Sequence, residues 1–405
     1  MSQIKIGIIR EGKNPPDRRV PFTPEQCKQI VDEFPQIDLV VQPSAIRCFS
    51  DDLYEAQGIK LQEDLSDRDI LFGVKEVPLG MLIEDKTYFF FSHTHKLQPY
   101  NRKLINAIID KNIKMIDYEC LVFPTGSRVL GFGRFAGIVG AYNGMIAYGK
   151  KYGTHDIKKA EDCLDYVELI QELGKVKLAS DAKIVLTGSG RVAKGSLEIL
   201  NALNLKQVDV DAFLNDSFDE PVFCHIDVDQ YNKRKDGSAF DKKHFYANGS
   251  EYDSNFGRFT EVADFFIAGH FWDNTSPVFF TKEDAQKENF NIKLIADISC
   301  DIACAIPSTL RPSTIADPVY DYDQSTGEET TAYGKETLTV MAVDNLPCEL
   351  PRDASTDFGT NLIKSIIPQF FNNDEGDILK NATLANEKAL TEKYAYMQDF
   401  VNGLV

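Results

Sequence analysis

Two stretches in the first third of the chain carry ionisable residues directly after apolar runs. Residues 69–74 lead into Lys75 and Glu76, and residues 87–91 lead into a polar segment that contains His93. Continuous apolar runs of this length predict strands that are covered on both faces of a parallel sheet. Ligands of open α/β sheets bind beyond the carboxyl ends of such strands. Lys75 and His93 are therefore candidate acid/base residues, with an ordinary solvated strand end as the alternative.

A glycine-rich turn follows an apolar strand predicted at 182–187. The turn opens with Gly188 and Gly190, has Ala193 where a third glycine is common, and leads into a helix predicted to reach about residue 203. The first glycine permits the turn, the second lets the backbone approach a pyrophosphate, and the helix N-terminus offers free N–H groups. This context predicts dinucleotide binding, with a tight turn that binds nothing as the alternative. The predicted cofactor-binding residues of the loop are Gly188, Ser189, Gly190, Arg191 and Val192.

A carboxylate that holds the adenosine ribose is expected about 20 residues after the first glycine, at the end of the next strand. We place that strand at 206–210, which makes Asp209 and Asp211 the candidates. A carboxylate at this position favours a free 2′-hydroxyl over a 2′-phosphate, so NAD is predicted over NADP. Cations that could reverse this preference are also present, namely Lys206, His225 and the cluster at 233–235.

Strands and helices alternate along the chain in two series. The first series has strands at 3–9, 37–42, 69–74, 87–91 and 113–118, with helices at 24–34, 51–57 and 100–111. The second has strands at 182–187, 206–210, 264–268, 293–297 and 338–343. Repeated β-α-β order predicts doubly wound parallel sheets, and hence an α/β fold with two Rossmann-like domains. We predict a catalytic domain of residues 1–135 plus about 346–405, and a dinucleotide-binding domain of residues 136–345.

Four further segments complete this prediction. The small-residue run 131–144, continued to 152, is predicted to be a long helix that joins the domains. Residues 214–258 show no clear period and are predicted to be an irregular excursion from the second domain. Residues 320–336 are predicted to be an exposed loop, and two helices at 355–371 and 377–402 are predicted to close the chain.

The composition and charge of the chain exclude some classes of binding partner. A formal net charge of −18 argues against nucleic acid or an anionic membrane, because both require a basic surface. No apolar run approaches the roughly 20 residues that span a bilayer, and the first residues enter an alternating strand without a signal-peptide core. Eight cysteines, mostly in apolar segments, indicate free thiols in a reducing cytoplasm. No metal site is predicted, since Cys300 and Cys304 lack a second ligand pair and His93 and His95 should point in opposite directions.

Several motifs, spread in order over nearly the whole chain, resemble one enzyme family. These motifs are residues 10–13 together with 18–24, then 73–76, 91–96, 116–119, 128–133, the glycine loop, 296–299, 344–347 and 350–353. Together they resemble the saccharopine dehydrogenase (lysine-forming) and lysine–2-oxoglutarate reductase family, a branch of the alanine dehydrogenase–transhydrogenase superfamily. The resemblance implies an NAD(P)-dependent oxidoreductase that interconverts saccharopine with L-lysine and 2-oxoglutarate. Its partners would be these small molecules, and the motifs leave the oligomeric state open.

The resemblance also implies roles for individual residues, in an active site between two domains. Lys75 and His93 would be the acid/base pair, and Asp344 would lie at the nicotinamide end of the cofactor. The residues implied to bind or line the substrate are Lys13, Arg19, Lys96, Glu119 and Arg128. A substrate with three carboxylates needs bidentate guanidinium partners, a role that the resemblance implies for Arg19 and Arg128. The alternatives are an alanine dehydrogenase-like enzyme for a smaller amino acid and a catalytically idle dinucleotide-binding protein.

Overall fold

The computed structural model describes residues 3–302 and 304–404, and the chain divides into two compact units. The first unit extends to Phe132 and resumes at Pro351, and the second unit is Gly133–Leu350. The sequence places the corresponding boundaries after residue 135 and at about residue 346.

The regular elements are numbered here in chain order. The strands are β1 (Ile4–Ile8), β2 (Ile37–Val41), β3 (Lys60–Leu61), β4 (Ile70–Phe72), β5 (Thr87–Phe90), β6 (Lys114–Asp117), β7 (Lys183–Thr187), β8 (Lys206–Gln207), β9 (Val222–Ile226), β10 (Asn232–Arg234), β11 (Tyr252–Ser254), β12 (Phe265–Ala268), β13 (Leu294–Asp297), β14 (Val319–Asp323), β15 (Glu328–Thr330), β16 (Leu338–Met341), β17 (Thr383–Asn386) and β18 (Ala389–Leu390). The α-helices are α1 (Pro24–Glu33), α2 (Asp51–Ala56), α3 (Arg102–Asp110), α4 (Gly133–Tyr152), α5 (Tyr166–Leu173), α6 (Arg191–Ala202), α7 (Val210–Asn215), α8 (Val228–Tyr231), α9 (Lys242–Ala247), α10 (Gly257–Thr260), α11 (Lys282–Ala285), α12 (Pro351–Ser365), α13 (Ile378–Ala382) and α14 (Gln398–Val401). Short 3₁₀ turns cover Leu79–Met81, Thr94–Lys96, Pro99–Asn101, Tyr118–Cys120, Ala160–Asp162, Gly249–Glu251, Leu346–Glu349, Ile367–Phe370 and Glu392–Met397.

The first unit is built on an eight-stranded sheet in the order β18-β17-β6-β5-β4-β1-β2-β3. Strands β1 to β6 are parallel, so their carboxyl ends lie along one edge. The apolar runs predicted as buried strands form β4 and β5, which are neighbours. Helix α1 covers the sheet, and its start is fixed by a capping box between Thr23 and Gln26, with Pro24 as the first helical residue.

The second unit contains another eight-stranded sheet, in the order β15-β14-β16-β13-β12-β7-β9-β8. Six of these strands are parallel, and β14 and β15 add an antiparallel edge. Strands β10 and β11 form a separate two-stranded sheet. The prediction of an α/β fold with two doubly wound sheets is confirmed. Among the described residues, no helix combines the length and the apolar character needed to cross a bilayer.

The small-residue run predicted as a helix is α4, and its glycines permit close packing against α6. A Cβ atom on Gly137 would lie 1.9 Å from the carbonyl oxygen of Val192. A Cβ atom on Gly195 would lie 2.0 Å from the carbonyl oxygen of Arg134. The two helices therefore meet backbone to backbone, which explains the glycine at position 195 just after the nucleotide-loop pattern.

The prediction of a C-terminal helix at 377–402 is wrong. Helix α13 ends at Ala382, and the chain then forms β17, which pairs antiparallel with the edge strand β6. Positive φ angles at Glu387 and Lys388 turn the chain into β18. Pairing with an open sheet edge overrides the local helical preference, and sequence periodicity alone does not reveal that edge.

Two predictions for the second unit are also wrong. The strand predicted at 206–210 is only the two-residue edge strand β8, and the predicted irregular excursion contains β9, the strand adjacent to β7. The loop predicted at 320–336 contains β14, where Tyr320 and Tyr322 are buried. Alternating acidic residues in that stretch suggest exposure, but Asp321 accepts hydrogen bonds inside the fold from Gly334 and Thr337.

A buried carboxyl group in the second unit leads to a prediction about stability. Glu349 is 4% exposed and accepts a 2.8 Å hydrogen bond from Asn143, and burial raises the pKa of Glu349 to about 8. Between pH 4.5 and about 8 the folded state therefore keeps a proton that the unfolded state has lost, so this group makes stability fall as pH rises. Since glutamine does not ionise, the melting temperature of Glu349→Gln minus that of the wild type should rise by roughly 3 °C or more between pH 5 and 8.5.

Calorimetry at several pH values measures this difference. The same substitution at the exposed residue Glu55, Glu55→Gln, provides a matched control. A flat difference for Glu349→Gln would show that Glu349 does not hold its proton in the folded state.

Candidate active site

The turn after β4 carries Lys75, and a carboxylate from the segment that follows the neighbouring strand β1 fixes this turn. Glu11 accepts the N–H of Val74 through Oε1 at 2.7 Å and the N–H of Lys75 through Oε2 at 3.0 Å. Burial, with the charge of Asp17, raises the pKa of Glu11 to about 8. Burial also lowers the pKa of Lys75, and the nearby charge of Arg19 lowers it further. Lys75 is therefore held in an environment that favours its neutral, basic form.

Glu76 joins the end of β4 to the histidine that follows β5. Its Oε1 lies 2.7 Å from Nδ1 of His93, and its Oε2 accepts a 2.8 Å bond from Nζ of Lys13. Burial alone would raise the pKa of Glu76, but the bonds from His93 and Lys13 outweigh it and lower the pKa to about 2. An ionised Glu76 fixes the orientation of the imidazole ring, which leaves Nε2 as the ring atom for proton exchange.

A second carboxylate lies on the other side of His93. Oε2 of Glu119 lies 3.9 Å from Nε2 of His93 and 2.9 Å from Nζ of Lys96, and Oε1 lies 3.2 Å from Arg128. Burial would raise the pKa of Glu119, but the bond from Lys96 and the other cations lower it. His95 also reaches this carboxylate, at 3.7 Å. His93 and His95 therefore face one group, and the prediction of opposite directions is wrong because His93 adopts a left-handed conformation with φ of 54°.

Asp117, at the end of β6, holds the backbone next to His93 and Glu119 by hydrogen bonds. Its Oδ2 accepts bonds from the N–H and hydroxyl of Ser92 and from the N–H of His93, and its Oδ1 accepts the N–H of Glu119. Ligand atoms of His95, Asp117 and Cys120 lie within 4.8 Å of one another, the spacing of a possible metal site. Because Asp117 already accepts four hydrogen bonds, we interpret this set as hydrogen-bonded support for the loops.

Arg19 lies near Lys75 but is not open to solvent. Its side chain is 2% exposed and donates to both carboxylate oxygens of Asp17, at 3.0 and 2.6 Å. The guanidinium carbon also lies 4.2 Å from the ring centroid of Phe132. The geometry assigns Arg19 to a buried ion pair, and a direct bond from Arg19 to a substrate stays a prediction. The other predicted cations are more accessible, with side-chain exposures of 38% for Lys13, 43% for Lys96 and 47% for Arg128.

The glycine loop in the second unit follows β7 and opens α6. Gly188 has φ of +96°, and a Cβ atom there would lie 2.5 Å from the carbonyl oxygen of Gly269, so only glycine fits. A Cβ atom on Gly190 would meet nothing within 4 Å, and Ser189, Gly190 and Arg191 are exposed. The first N–H groups of a twelve-residue helix thus begin beside open space. This arrangement fits a pyrophosphate.

The carboxylate that contacts the glycine loop, Asp227, is not one of those predicted. Asp209 caps α7 through the N–H of Ala212, and Asp211 lies in the first turn of that helix. The strand next to β7 is β9, and the residue after it is Asp227. Asp227 hydrogen-bonds with Ser189 of the loop and pairs with Nζ of Lys242 at 2.8 Å. By the same strand-end argument, Asp227 is a better candidate than Asp209 and Asp211 for binding a ribose, because β9 and not β8 pairs with β7.

Asp344 follows β16 at the same edge of the second sheet and is exposed. Its neighbour along that edge, Asp297 at the end of β13, is buried. Asp297 accepts bonds from the hydroxyl groups of Ser299 and Thr309. Of these two strand-end carboxylates, Asp344 is the one that can reach a ligand.

Comparison with known proteins gives matches that extend over almost the whole chain. The family described as Alanine dehydrogenase/PNT, N-terminal domain matches residues 7–139. "Alpha-aminoadipic semialdehyde synthase" of Arabidopsis thaliana is 28% identical over 436 residues, which cover 97% of this chain and 41% of that protein. "Saccharopine dehydrogenase [NAD(+), L-lysine-forming]" of Emericella nidulans is 24% identical over 419 residues, covering 96% and 99% of the two chains. The chain thus spans less than half the length of the plant synthase.

Among solved structures, an L-alanine dehydrogenase superposes with a TM-score of 0.67 at 16% identity, covering 99% of this chain and 100% of the other. At this identity the likeness establishes the fold alone. Together with the sequence matches, it confirms the relationship that the motifs indicate. The chain is therefore similar to proteins of the alanine dehydrogenase–transhydrogenase superfamily, in its residues 7–139, in sequence over almost its whole length, and in fold.

Proposed function

We propose that this protein is an oxidoreductase that interconverts saccharopine with L-lysine and 2-oxoglutarate, using a nicotinamide cofactor. The observation that carries the proposal is the arrangement of Lys75 and His93. They follow adjacent strands, and Glu76 bonds to His93 from the position next to Lys75. The relatives named for saccharopine and for a semialdehyde of aminoadipic acid support the same reaction class.

The chemistry requires two groups that exchange protons with the substrates. Condensation of an amine with a keto acid needs a neutral amine and the loss of water from the carbinolamine, and hydrolysis reverses these steps. Lys75, whose pKa is lowered by burial, is suited to take the proton of the substrate ammonium group. His93 is held at Nδ1 by Glu76 and is suited to exchange a proton through Nε2 with the oxygen that leaves as water.

The substrates carry several carboxylates, and the site offers accessible cations to bind them. Lys13, Lys96 and Arg128 are each between one third and one half exposed. Each is within ion-pair distance of Glu76 or Glu119, so a bound carboxylate would share these cations with the protein's own acids. We propose that Glu119 also attracts the cationic amine of lysine, while Arg128 binds 2-oxoglutarate.

The second unit would hold the cofactor, which when bound supplies or accepts the hydride. The open space at Gly190 and the N-terminus of α6 suit the pyrophosphate, and Asp344 lies on the same edge of the sheet. We propose that Asp227 binds the adenosine ribose. A carboxylate there repels a 2′-phosphate, so we propose that NAD(H) is preferred, as the name of the Emericella nidulans relative suggests for that protein.

An absorbance assay at the nicotinamide band tests the proposal. NADH should be consumed only when L-lysine and 2-oxoglutarate are both present, because neither substrate alone can form the imine that is reduced. The reverse assay, with saccharopine and NAD⁺, should produce NADH. The specificity constant for NADH should exceed that for NADPH.

Other outcomes would support the alternatives. Equal or better turnover with pyruvate and ammonia would indicate an alanine dehydrogenase-like enzyme. NADH binding without turnover of any amine and keto acid would indicate an idle dinucleotide-binding protein. A higher specificity constant for NADPH would show that the Asp227 carboxylate does not determine cofactor choice.

A further inference from the structure

Two histidines, one in β9 and one just after β12, bond to the residues that lead into the glycine loop. On one side, Nε2 of His225, in β9, lies 2.6 Å from the carbonyl oxygen of Gly188. On the other side, Nδ1 of His270, two residues after β12, lies 2.8 Å from the hydroxyl oxygen of Thr187. The start of the loop is thus held from both sides by imidazole rings.

The bond from His225 fixes the direction of a peptide plane. The N–H of Gly188 donates to the carbonyl oxygen of Ile226 in β9 at 3.0 Å, whereas the carbonyl oxygen of Gly188 receives its hydrogen bond from a side chain. In a planar trans peptide, the carbonyl oxygen and the following N–H point in opposite directions. With the oxygen of Gly188 directed at His225, the N–H of Ser189 is directed away from it. Glycine at this position gives the chain enough freedom to rotate that plane, so an external bond is needed to hold it.

His270 restrains the preceding residue in a tightly packed setting. It is 6% exposed, and its ring centroid lies 4.1 Å from that of Phe279. A Cβ atom on Gly188 would lie 2.7 Å from the Cα atom of His270, so the two segments are in close contact. Burial lowers the pKa of His270 to about 3, so its bond with Thr187 does not titrate between pH 5 and 9.

We propose that His225 and His270 are positioning residues that hold Thr187 and Gly188, so that the exposed N–H groups of the glycine loop are preset to receive the pyrophosphate of a dinucleotide. This inference rests on the proposed function, since it concerns the same cofactor. It adds two residues that do not touch the reacting atoms and that act by reducing the cost of ordering the loop on binding.

The two histidines use different ring atoms, and this makes a specific test possible. The amide nitrogen of glutamine reaches about as far as Nε2 of histidine, whereas that of asparagine reaches about as far as Nδ1. At position 225 glutamine should therefore replace the bond and asparagine should not. At position 270 asparagine should replace the bond and glutamine should not.

Calorimetric titration of the purified full chain with NADH measures the effect. We expect His225→Asn and His270→Gln to raise the Kd for NADH by roughly 5- to 10-fold, the scale of one lost hydrogen bond. His225→Gln and His270→Asn should stay within about 2-fold of the wild type. In steady-state assays the loss should fall on the KM for NADH and not on the KM for 2-oxoglutarate.

The outcomes are distinguishable. A purely packing role would make the larger glutamine the better replacement at both positions, and that result would overturn the inference. Equal NADH affinity in all four variants would overturn it as well. If the His270 variants do not fold, the His225 pair decides, since His225 is only half-buried. Failure of the wild-type protein to bind NADH or NADPH would instead refute the proposed cofactor site itself.

Discussion

Replacement of Lys75 by Met, or of His93 by Gln, is expected to lower kcat roughly 10²-fold or more, the scale of a lost general acid or base. Neither methionine nor glutamine can exchange a proton near neutral pH. NADH affinity should be retained, because the glycine loop lies in the other unit. Single-turnover absorbance measurements at saturating NADH, L-lysine and 2-oxoglutarate give the size of the loss.

A matched control is available on the surface of α3. Lys103 is exposed, and Lys103→Met should leave kcat unchanged. The double variant of Lys75 and His93 should lose less than the product of the single losses if both residues act on one proton path. Near-normal turnover in both single variants would mean that these residues are ordinary strand-end polar groups.

The position of this pair could be predicted from the sequence because it depends on local signals. Each residue follows an uninterrupted apolar run, and such runs become parallel strands whose carboxyl ends meet at one edge. The same argument, applied to the other strands, would have found two residues that the prediction missed. Glu11 follows β1, and Asp117 ends β6. Their roles depend on strand order, which places β1 next to β4 and β6 next to β5, and periodicity does not give that order.

In the second unit, sequence reasoning failed for a different reason. The strand β9 reads Val-Phe-Cys-His-Ile, which is more apolar than the segment at 206–210. It lies within a polar, charged stretch, however, and much further from the glycine loop than the expected spacing of about 20 residues. When β8 is taken for the second strand, Asp209 and Asp211 become the candidates for the ribose carboxylate. Asp227 is then overlooked. The C-terminal strand β17 was missed for a related reason, since its partner is an edge defined by the fold of distant residues.

Removal of the Arg19 guanidinium is expected to destabilise the first unit by about 3–5 kcal/mol, the cost of leaving one member of a buried ion pair without its partner. Arg19 and Asp17 are both 2% exposed. In Arg19→Met the carboxylate of Asp17 would remain buried beside Glu11, whose pKa is already raised by burial and by Asp17. Chemical denaturation, followed by a probe in the first unit, measures the loss.

The exposed pair of Arg10 and Glu63 is the matched control, because Arg10→Met should cost less than about 1 kcal/mol. The variant also separates two roles for Arg19. If it acts through the ion pair, Arg19→Met loses stability, and the pKa of Lys75 rises because a nearby positive charge is gone. The pH at which Lys75 becomes a competent base then moves upward. If Arg19→Met keeps its stability and loses only affinity for 2-oxoglutarate, Arg19 binds the substrate directly and the buried pair opens when substrate enters.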